Sequence, residues 1–169
     1  MAIPIKSQTL LPGEWGAKQT LSEMKRLTVE AIQSQVPRQL ALQLIGNGSV
    51  RNPSIFVDIL KRWVLMHVTI VDEFEELLIS PIVMISEIVQ LGKSAGDCDD
   101  IAMLSAAILA SIGAQVRLQA RFKQSDGSYA HVFCQYMFPY DQGWFDFDPT
   151  IGYIPTVYTG ETLTEDIIS

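Results

Sequence analysis

The chain has 169 residues, of which 48% are hydrophobic and 18% are charged. This length suits one domain with a sizeable core and is short for two full domains. The 12 basic and 19 acidic residues give a formal net charge of -7, which argues against nucleic acid or an anionic membrane as the partner. The longest apolar run falls far short of the roughly 20 residues that span a bilayer, and the N-terminus lacks the pattern of a secretory signal. We therefore expect a soluble protein that is not exported.

The first half of the chain carries repeated helix signals. Capping-box spacing at residues 20–23, followed by apolar residues at helical intervals, predicts a first helix that ends near Gln35. A shorter helix is expected over residues 37–45, with Gly46 at its left-handed end. The glycine-rich stretch 46–49 then indicates a loop.

Two pairs of residues mark the starts of the next helices. Asn52 before Pro53 combines an N-cap residue with proline at the first helical position, and Ser80 before Pro81 repeats the combination. Apolar residues at helical spacing follow each pair, so both helices are expected to pack into the core.

Two connecting segments give weaker signals. Residues 68–79 are ambiguous, because 68–71 favours a strand whereas 72–78 favours a helix. The glycines within residues 92–96 predict a loop.

The second half begins with the clearest helix and ends in strands. Apolar residues from Asp99 onward hold one helical face until Gly113. After this helix, period-two alternation and turn residues predict an antiparallel meander. Its three strands cover residues 116–123, 129–138 and 144–148. The polar tail from Thr159 is expected to be peripheral. The pattern as a whole predicts an α+β fold.

Cys98 lies at the first turn of the clearest helix, where unpaired amides and the positive end of the helix dipole favour a thiolate. Gly96 leaves the approach to the sulfur open, and the helix-terminal amides, including that of Cys98, can donate to an oxyanion. Three neighbouring carboxylates oppose the thiolate by like-charge repulsion. They are Asp97, Asp99 and Asp100, which we expect to serve as N-cap and dipole-compensating residues. A protonated histidine nearby would have to offset their charge.

The histidine in the predicted meander is His131. Alternation places its ring on the same strand face as Phe133, whereas Cys134 points to the other face and is a poor partner for it. The following hairpin brings the next strand back alongside, with Asp146 or Asp148 near the imidazole. These two carboxylates share a strand face, so periodicity leaves both open as the group that orients the ring.

Three motifs occur in a fixed order along the second half of the chain. Residues 96–100 read Gly-Asp-Cys-Asp-Asp, residues 130–133 read Ala-His-Val-Phe, and residues 143–150 read Gly-Trp-Phe-Asp-Phe-Asp-Pro-Thr. In this order they resemble the transglutaminase-like superfamily, papain-type enzymes whose cysteine opens a long helix and whose histidine and aspartate follow on adjacent strands. The resemblance implies a catalytic triad of Cys98, His131 and Asp148, with Asp146 as the alternative acid.

The resemblance also implies an architecture. It is a papain-like, transglutaminase-core α+β fold with N-terminal helices, in which the nucleophile helix packs on a C-terminal antiparallel sheet. On this basis residues 1–50 are a helical N-terminal extension of the same domain, residues 51–158 are the core, and residues 159–169 are a polar tail. The sequence departs from the commoner family pattern at Phe133, where a tryptophan often stands, and in the doubled acid after Cys98.

The function implied by the resemblance is a thiol acyltransferase or amidohydrolase that acts on carboxamide or peptide bonds of a protein or peptide substrate. The Gly-Asp-Cys-Asp-Asp form is similar to a subset of the family found in bacteriophage and prophage structural modules. That similarity implies a role in phage particle assembly, with other virion proteins as partners and a location in the bacterial cytoplasm or the virion. The alternative is a virion structural or assembly protein that keeps the fold with little or no catalysis.

The remaining reactive or aromatic residues have structural explanations. Cys98, His131, Cys134 and His67 are zinc-compatible types, but their spacing lacks a Cys-x-x-Cys pair, so neither a metal nor a cofactor is expected. His67, one helical turn after a tryptophan, is expected to be structural. Trp144 is expected to be a core aromatic residue or a wall of the catalytic cleft.

Overall fold

The computed structural model describes residues 13–46, 52–71, 77–150 and 160–167. Within them the chain forms five helices: α1 (Gly13–Gln33), α2 (Val36–Ile45), α3 (Pro53–His67), α4 (Pro81–Leu91) and α5 (Cys98–Ser111). The same residues form six strands: β1 (Val68–Ile70), β2 (Ser94–Gly96), β3 (Gln115–Lys123), β4 (Tyr129–Met137), β5 (Phe145–Phe147) and β6 (Leu163–Ile167). No helix among the described residues combines the length and the apolar character needed to cross a bilayer.

The predicted starts of α3 and α4 are confirmed. The side chain of Asn52 accepts a hydrogen bond of 2.9 Å from the backbone N–H of Ser54, and Pro53 is the first helical residue. Ser80 caps α4 in the same way, through a bond from the N–H of Ile82. These side chains satisfy amides that would otherwise lack a partner at the helix end.

The predicted start of the first helix is wrong. Helix α1 already begins at Gly13, and Thr20 lies within it as a buried residue that faces the core. The capping-box spacing at residues 20–23 therefore does not mark a helix terminus. Helix α2 closes at Gly46, as expected, although the loop predicted over 46–49 lies outside the described residues from position 47 onward.

Helix α5 is the centre of the molecule. Every residue from Asp100 to Ser111 is buried, which is unusual for a helix and explains why small alanines alternate with large aliphatic residues along it. It packs on β3 and β4 on one side and against α1, α2 and α4 on the others. Because α5 is held from all sides, the position of its first residue, Cys98, is fixed by the core.

The main sheet is antiparallel, with strand order β5-β4-β3-β6. Its register pairs Arg121 with His131 and Gln135 with Asp146. Strands β3, β4 and β5 form the predicted meander, and α5 packs on the face that carries Leu118, Val132 and Cys134. The predicted α+β fold, with the helix of Cys98 packed on an antiparallel sheet, is confirmed.

The C-terminal segment differs from the peripheral tail that the sequence indicates. Leu163–Ile167 forms β6, which pairs with β3 along five residue pairs and buries Ile167 against the core. Glu165 interrupts the apolar alternation of this strand, and its charge is met by Lys25 of α1 at 2.9 Å. That partner is distant in the sequence, so the alternation alone does not reveal the strand.

The segments predicted to be ambiguous or loop-like contain a second, smaller sheet. Strand β1 pairs in parallel with β2, from Val68 opposite Ser94 to Ile70 opposite Gly96. The predicted loop at 92–96 is therefore wrong over its last three residues, whereas the strand preference of residues 68–71 is confirmed for Val68–Ile70. Most of the alternative helix at 72–78 lies outside the described residues.

One residue of β3 has an unusual backbone conformation. Phe122 has φ 65°, in the left-handed region that bulky side chains rarely enter, at a typical cost of about 1–3 kcal/mol. Its neighbours Arg121 and Lys123 lie opposite His131 and Tyr129 of β4 in the strand register. The strand is therefore locally distorted next to His131.

Candidate active site

The start of α5 is held by a reciprocal set of hydrogen bonds. The side chain of Asp97 accepts bonds from the N–H groups of Asp99 and Asp100, at 2.9 and 3.3 Å. In return, the Asp100 carboxylate accepts a bond of 3.3 Å from the N–H of Asp97. This capping box fixes the backbone on both sides of Cys98, as expected for aspartates in the capping role.

Asp100 also ties α5 to two other segments. Its Oδ1 accepts a 2.7 Å bond from the N–H of Ile79, just before α4. Gly96 at the end of β2 lies so close that a Cβ there would come 2.8 Å from the Cβ of Asp100. Burial and the neighbouring charge of Asp97 raise the pKa of Asp100 to about 8. The carboxyl group is therefore largely protonated at neutral pH.

The thiol of Cys98 is half-buried beside this capping box. Burial, reinforced by the charge of Asp99, raises the pKa of Cys98 well above its ordinary value. The backbone N–H of Val132 hydrogen-bonds the sulfur and opposes the shift, while the thiol itself donates to Asp99 at 3.5 Å. The expected stabilisation of a thiolate by the helix dipole is outweighed, so Cys98 carries a neutral thiol in this state.

His131 is paired with Asp148. Nε2 of His131 lies 2.7 Å from Oδ2 of Asp148, and both side chains are more than nine-tenths buried. The backbone N–H and the hydroxyl of Thr150 donate to the other carboxylate oxygen at 3.0 and 2.6 Å. Burial raises the pKa of Asp148, but the hydrogen bonds from His131 and Thr150 outweigh it, so the pKa is lowered overall.

The ionised state of Asp148 determines the tautomer of His131. A carboxylate only accepts hydrogen bonds, so Nε2 of His131 carries the proton that it donates to Asp148. In the neutral ring, Nδ1 is then the basic nitrogen. This is the tautomer that a general base needs if it takes a proton at Nδ1.

Asp146 has other partners. It accepts a 2.6 Å bond from Gln135, forms an exposed ion pair with Arg121 at 3.3 Å, and lies opposite Gln135 in the strand register. That register position is four residues along β4 from His131, roughly 13 Å at the usual strand rise. Of the two carboxylates that periodicity left open, it is Asp148 that contacts the histidine.

The N-terminus of α5 approaches β4 next to His131. The backbone N–H of Val132, the residue after His131, interacts with the Cys98 sulfur and lowers the pKa of the thiol. Cys98 therefore lies close to the strand that carries the histidine paired with Asp148. A direct contact between the thiol and the imidazole stays a prediction.

Trp144 lies away from His131. Its ring packs under the guanidinium of Arg117 at 4.2 Å, and Arg117 in turn bonds Gln135 at 2.7 Å. Gln135 is four residues along the strand from His131. Trp144 is half-buried against Arg117 and does not belong to the hydrophobic core, so the expected core position is wrong, and its role as a cleft wall stays a prediction.

The other zinc-compatible residues are separated from the site. Nδ1 of His67 donates to the carbonyl of Trp63 at 2.9 Å, with the two rings stacked. Cys134 is completely buried in the core, and burial raises the pKa of its thiol. Within the described residues, one group has three ligand atoms close enough to share a metal ion; it consists of Asp97, Cys98 and Asp99. Asp97 already uses its side chain as the helix cap.

An aromatic stack around His131 was not anticipated from the sequence. The rings of Phe133 and Phe122 lie 5.9 and 6.2 Å from the imidazole, with interplanar angles of 14° and 27°. The guanidinium of Arg121 lies 4.1 Å above the ring of Phe133. Alternation along β4 already places Phe133 on the face of His131, but alternation along β3 assigns Phe122 to the opposite face.

Comparison with known proteins gives one match. The family model of the transglutaminase-like superfamily matches residues 43–149, which is more than half of the chain. No curated protein and no solved structure matches it. The matched range contains Cys98, His131 and Asp148 together with the helix and the sheet that hold them. The chain belongs to the transglutaminase-like superfamily.

Proposed function

We propose that this protein is a thiol acyltransferase or amidohydrolase that acts on carboxamide or peptide bonds of proteins, with Cys98, His131 and Asp148 as its catalytic triad. Membership of the superfamily suggests cysteine-based chemistry of this kind. The observation that carries the finer proposal is the buried 2.7 Å bond between His131 and Asp148, which leaves Nδ1 as the basic nitrogen of the neutral ring. The chemistry requires no metal or cofactor.

The reaction begins with a proton transfer. Nδ1 of His131 takes the proton from the Cys98 sulfur as the sulfur attacks the carbonyl carbon of the substrate, and the backbone N–H of Cys98 at the helix end donates to the oxyanion. When the tetrahedral intermediate collapses, the C–N bond breaks and Nδ1 returns the proton to the leaving amine or ammonia. The product is a thioester on Cys98. Water or a second amine then attacks the thioester with the same histidine as the base.

The neutral thiol of the resting site fits this sequence of steps. Burial penalises a lone thiolate at Cys98, but proton transfer to His131 creates an ion pair in which the imidazolium is stabilised by Asp148. The thiolate then forms together with its counter-ion. A general base poised in this way generates the nucleophile only where it is used.

Alkylation with iodoacetamide at neutral pH tests the proposal, with the modified residues mapped by mass spectrometry. The folded protein is expected to be modified at Cys98 and not at Cys134, which has no exposed surface; in urea both should react at the rate of a free thiol. His131→Gln should slow the reaction of Cys98 by roughly tenfold or more. A Cys98 that reacts no faster than a free thiol, and at the same rate without His131, would rule the triad out.

A catalytic assay complements the alkylation. Incubation with a blocked glutaminyl peptide and hydroxylamine is expected to give the hydroxamate, or free ammonia if water is the acceptor. Both products should disappear in Cys98→Ala. The ratio of hydroxamate to ammonia reports whether the thioester is resolved by an amine or by water, and cleavage of a protein substrate would identify a protease.

One observation favours a second candidate function. Three aspartates surround Cys98, and burial together with Asp99 raises the pKa of its thiol, as would suit a protein that keeps the fold for assembly of a phage particle with little or no turnover. In that case the wild type and Cys98→Ala should be incorporated equally into purified particles. Loss of a specific cross-link or cleavage in Cys98→Ala would exclude this candidate.

A further inference from the structure

The imidazole of His131 is flanked by two phenyl rings that reach it from opposite directions along the sheet. Phe133 lies further along β4, 5.9 Å from His131 between ring centroids and at 14° between planes. Phe122 approaches from β3 at 6.2 Å and 27°. The register of its neighbours places Phe122 level with Ala130, on the other side of His131. Both angles are small enough for the rings to stack on the imidazole.

The ring of Phe122 reaches this place because of its backbone. On β3, Val116, Leu118 and Ala120 face the core, and strict alternation would send Phe122 to that face as well. Its φ of 65° interrupts the alternation, and the ring instead meets His131, which alternates with Val132 and so belongs to the face of Phe133. An unfavourable backbone conformation thus coincides with a contact to the candidate base. Conformations of this kind persist where the surroundings impose them and cluster at functional sites.

We propose that Phe122 is a positioning residue for His131, held in a left-handed conformation so that its ring and that of Phe133 fix the plane of the imidazole. This inference rests on the triad proposed above. A fixed plane keeps Nε2 on Asp148 and Nδ1 toward the thiol, and it prevents the ring flip that would put ring carbons in the places of the two nitrogens. Phe122 contributes through His131 and does not touch the substrate.

Four variants test this role. Phe122→Asn removes the ring, while asparagine tolerates the left-handed conformation better than other residues with a side chain. Phe122→Tyr keeps the ring, and Phe122→Leu keeps bulk without aromatic stacking. The matched control is Phe145→Leu, which removes another stacked ring of the same sheet, 5.7 Å from Tyr136. Each variant is compared with the wild type in three measurements: the melting temperature, the imidazole tautomer by nitrogen NMR, and the pH profile of Cys98 alkylation by iodoacetamide.

The expected result separates stability from positioning. Phe122→Asn should melt within a few degrees of the wild type, yet show both tautomers of His131 and a rate of Cys98 alkylation roughly tenfold lower with a shifted pH profile. Phe122→Tyr and Phe145→Leu should match the wild type in tautomer and profile. A single Nε2–H tautomer together with an unchanged profile in Phe122→Asn would overturn the proposal. If that variant does not fold, the same two readouts in Phe122→Leu decide.

The tautomer measurement is independent of catalysis. If the wild-type Cys98 proves unreactive, the triad proposal fails, but the NMR signals of His131 still report whether Phe122 holds the ring. Conversely, a reactive Cys98 with an imidazole that is insensitive to Phe122 would leave the triad standing and remove the positioning role.

Discussion

Asp148 bonds to His131 although it lies two residues before the position that is directly opposite His131 in the strand register. Cys134 pairs with Phe147, so continuation of that register would place Asp148 level with Phe133 and residue 150 level with His131. The 2.7 Å bond between His131 and Asp148 is therefore diagonal across the end of β5. Thr150, which would lie opposite His131, donates two hydrogen bonds to Oδ1, the other carboxylate oxygen of Asp148.

This arrangement predicts different effects for the two carboxylates of the strand. Asp148→Asn should lower acyl transfer by about 10²–10⁴-fold, because the amide no longer stabilises an imidazolium and favours the wrong tautomer. Asp146→Asn keeps an oxygen that can accept the bond from Gln135 and removes the exposed ion pair with Arg121, which is worth about 0–1 kcal/mol. It should therefore keep activity within about twofold. Rates with the glutaminyl peptide test both variants. Equal losses in the two would contradict the assignment of Asp148.

Asp100 predicts an unusual pH dependence of stability. Its pKa is raised from 3.8 to about 8 in the folded protein, so its contribution is fully present below pH 3.8 and is lost as the pH rises through 8. Asp100→Asn cannot titrate. The free energy of unfolding of the wild type relative to Asp100→Asn should therefore fall by a few kcal/mol between about pH 4 and pH 9.

Urea unfolding of both proteins at pH 5, 7 and 9 measures this difference. The comparison cancels the titration of groups that do not interact with Asp100, whereas the charge of Asp97, which contributes to the raised pKa, is part of the measured difference. Asn at position 100 keeps an acceptor for the N–H of Ile79 and loses the weaker bond from the N–H of Asp97. This loss changes the free energy of unfolding by the same amount at every pH. Parallel curves at all three pH values would show that Asp100 has an ordinary pKa.

Alanine variants of Gly96 and Gly143 form a matched pair that tests the close packing of Gly96 beside the start of α5. In Gly96→Ala the new Cβ would lie 2.8 and 2.9 Å from atoms of Asp100 and 3.2 Å from Met84, so the variant should lose about 1–3 kcal/mol of stability. Gly143→Ala places its Cβ in open space and should change stability by no more than about 0.5 kcal/mol. Thermal unfolding distinguishes them, and a neutral Gly96→Ala would mean that this contact relaxes freely.

The C-terminal strand is predicted to be essential for stability. Ile167 is 6% exposed and pairs with Val116, so Ile167→Ala should destabilise the fold by about 2–5 kcal/mol. Its neighbour Asp166 is exposed, and Asp166→Ala should stay within about 0.5 kcal/mol of the wild type. Urea titration tests both, and a neutral Ile167→Ala would indicate that β6 does not contribute to the core.

Local chemistry made much of the fold predictable. The Asn52–Pro53 and Ser80–Pro81 pairs place their helix starts correctly because a cap acts within one turn. The alternation of β3 and the turn residues after it were sufficient to predict the antiparallel meander. By contrast, Glu165 interrupts the apolar alternation of β6 and pairs with Lys25, which lies far away in the sequence, and no local pattern shows such a partner.

Part of the candidate site could be predicted from the sequence, but its electrostatics could not. The order of motifs named Cys98, His131 and Asp148, and the contact between His131 and Asp148 is present, although alternation could not separate Asp148 from Asp146. That distinction depends on where β5 ends relative to β4. The high pKa of Cys98 arises mainly from burial, which the sequence around it does not show. The left-handed conformation of Phe122 departs from the regular alternation that the sequence of β3 predicts.

The brevity of β5 has a consequence for the chemistry. It pairs with only three residues of β4, and in a longer ladder residue 149 would face Val132. Pro149 has no backbone N–H to donate to such a ladder, which favours the end of strand pairing at this point. The backbone N–H of Val132 instead interacts with the thiol of Cys98 and lowers its pKa. Extension of the ladder would compete for this part of β4, so replacing Pro149 with a residue that continues the strand is expected to cover Cys98 and slow its alkylation.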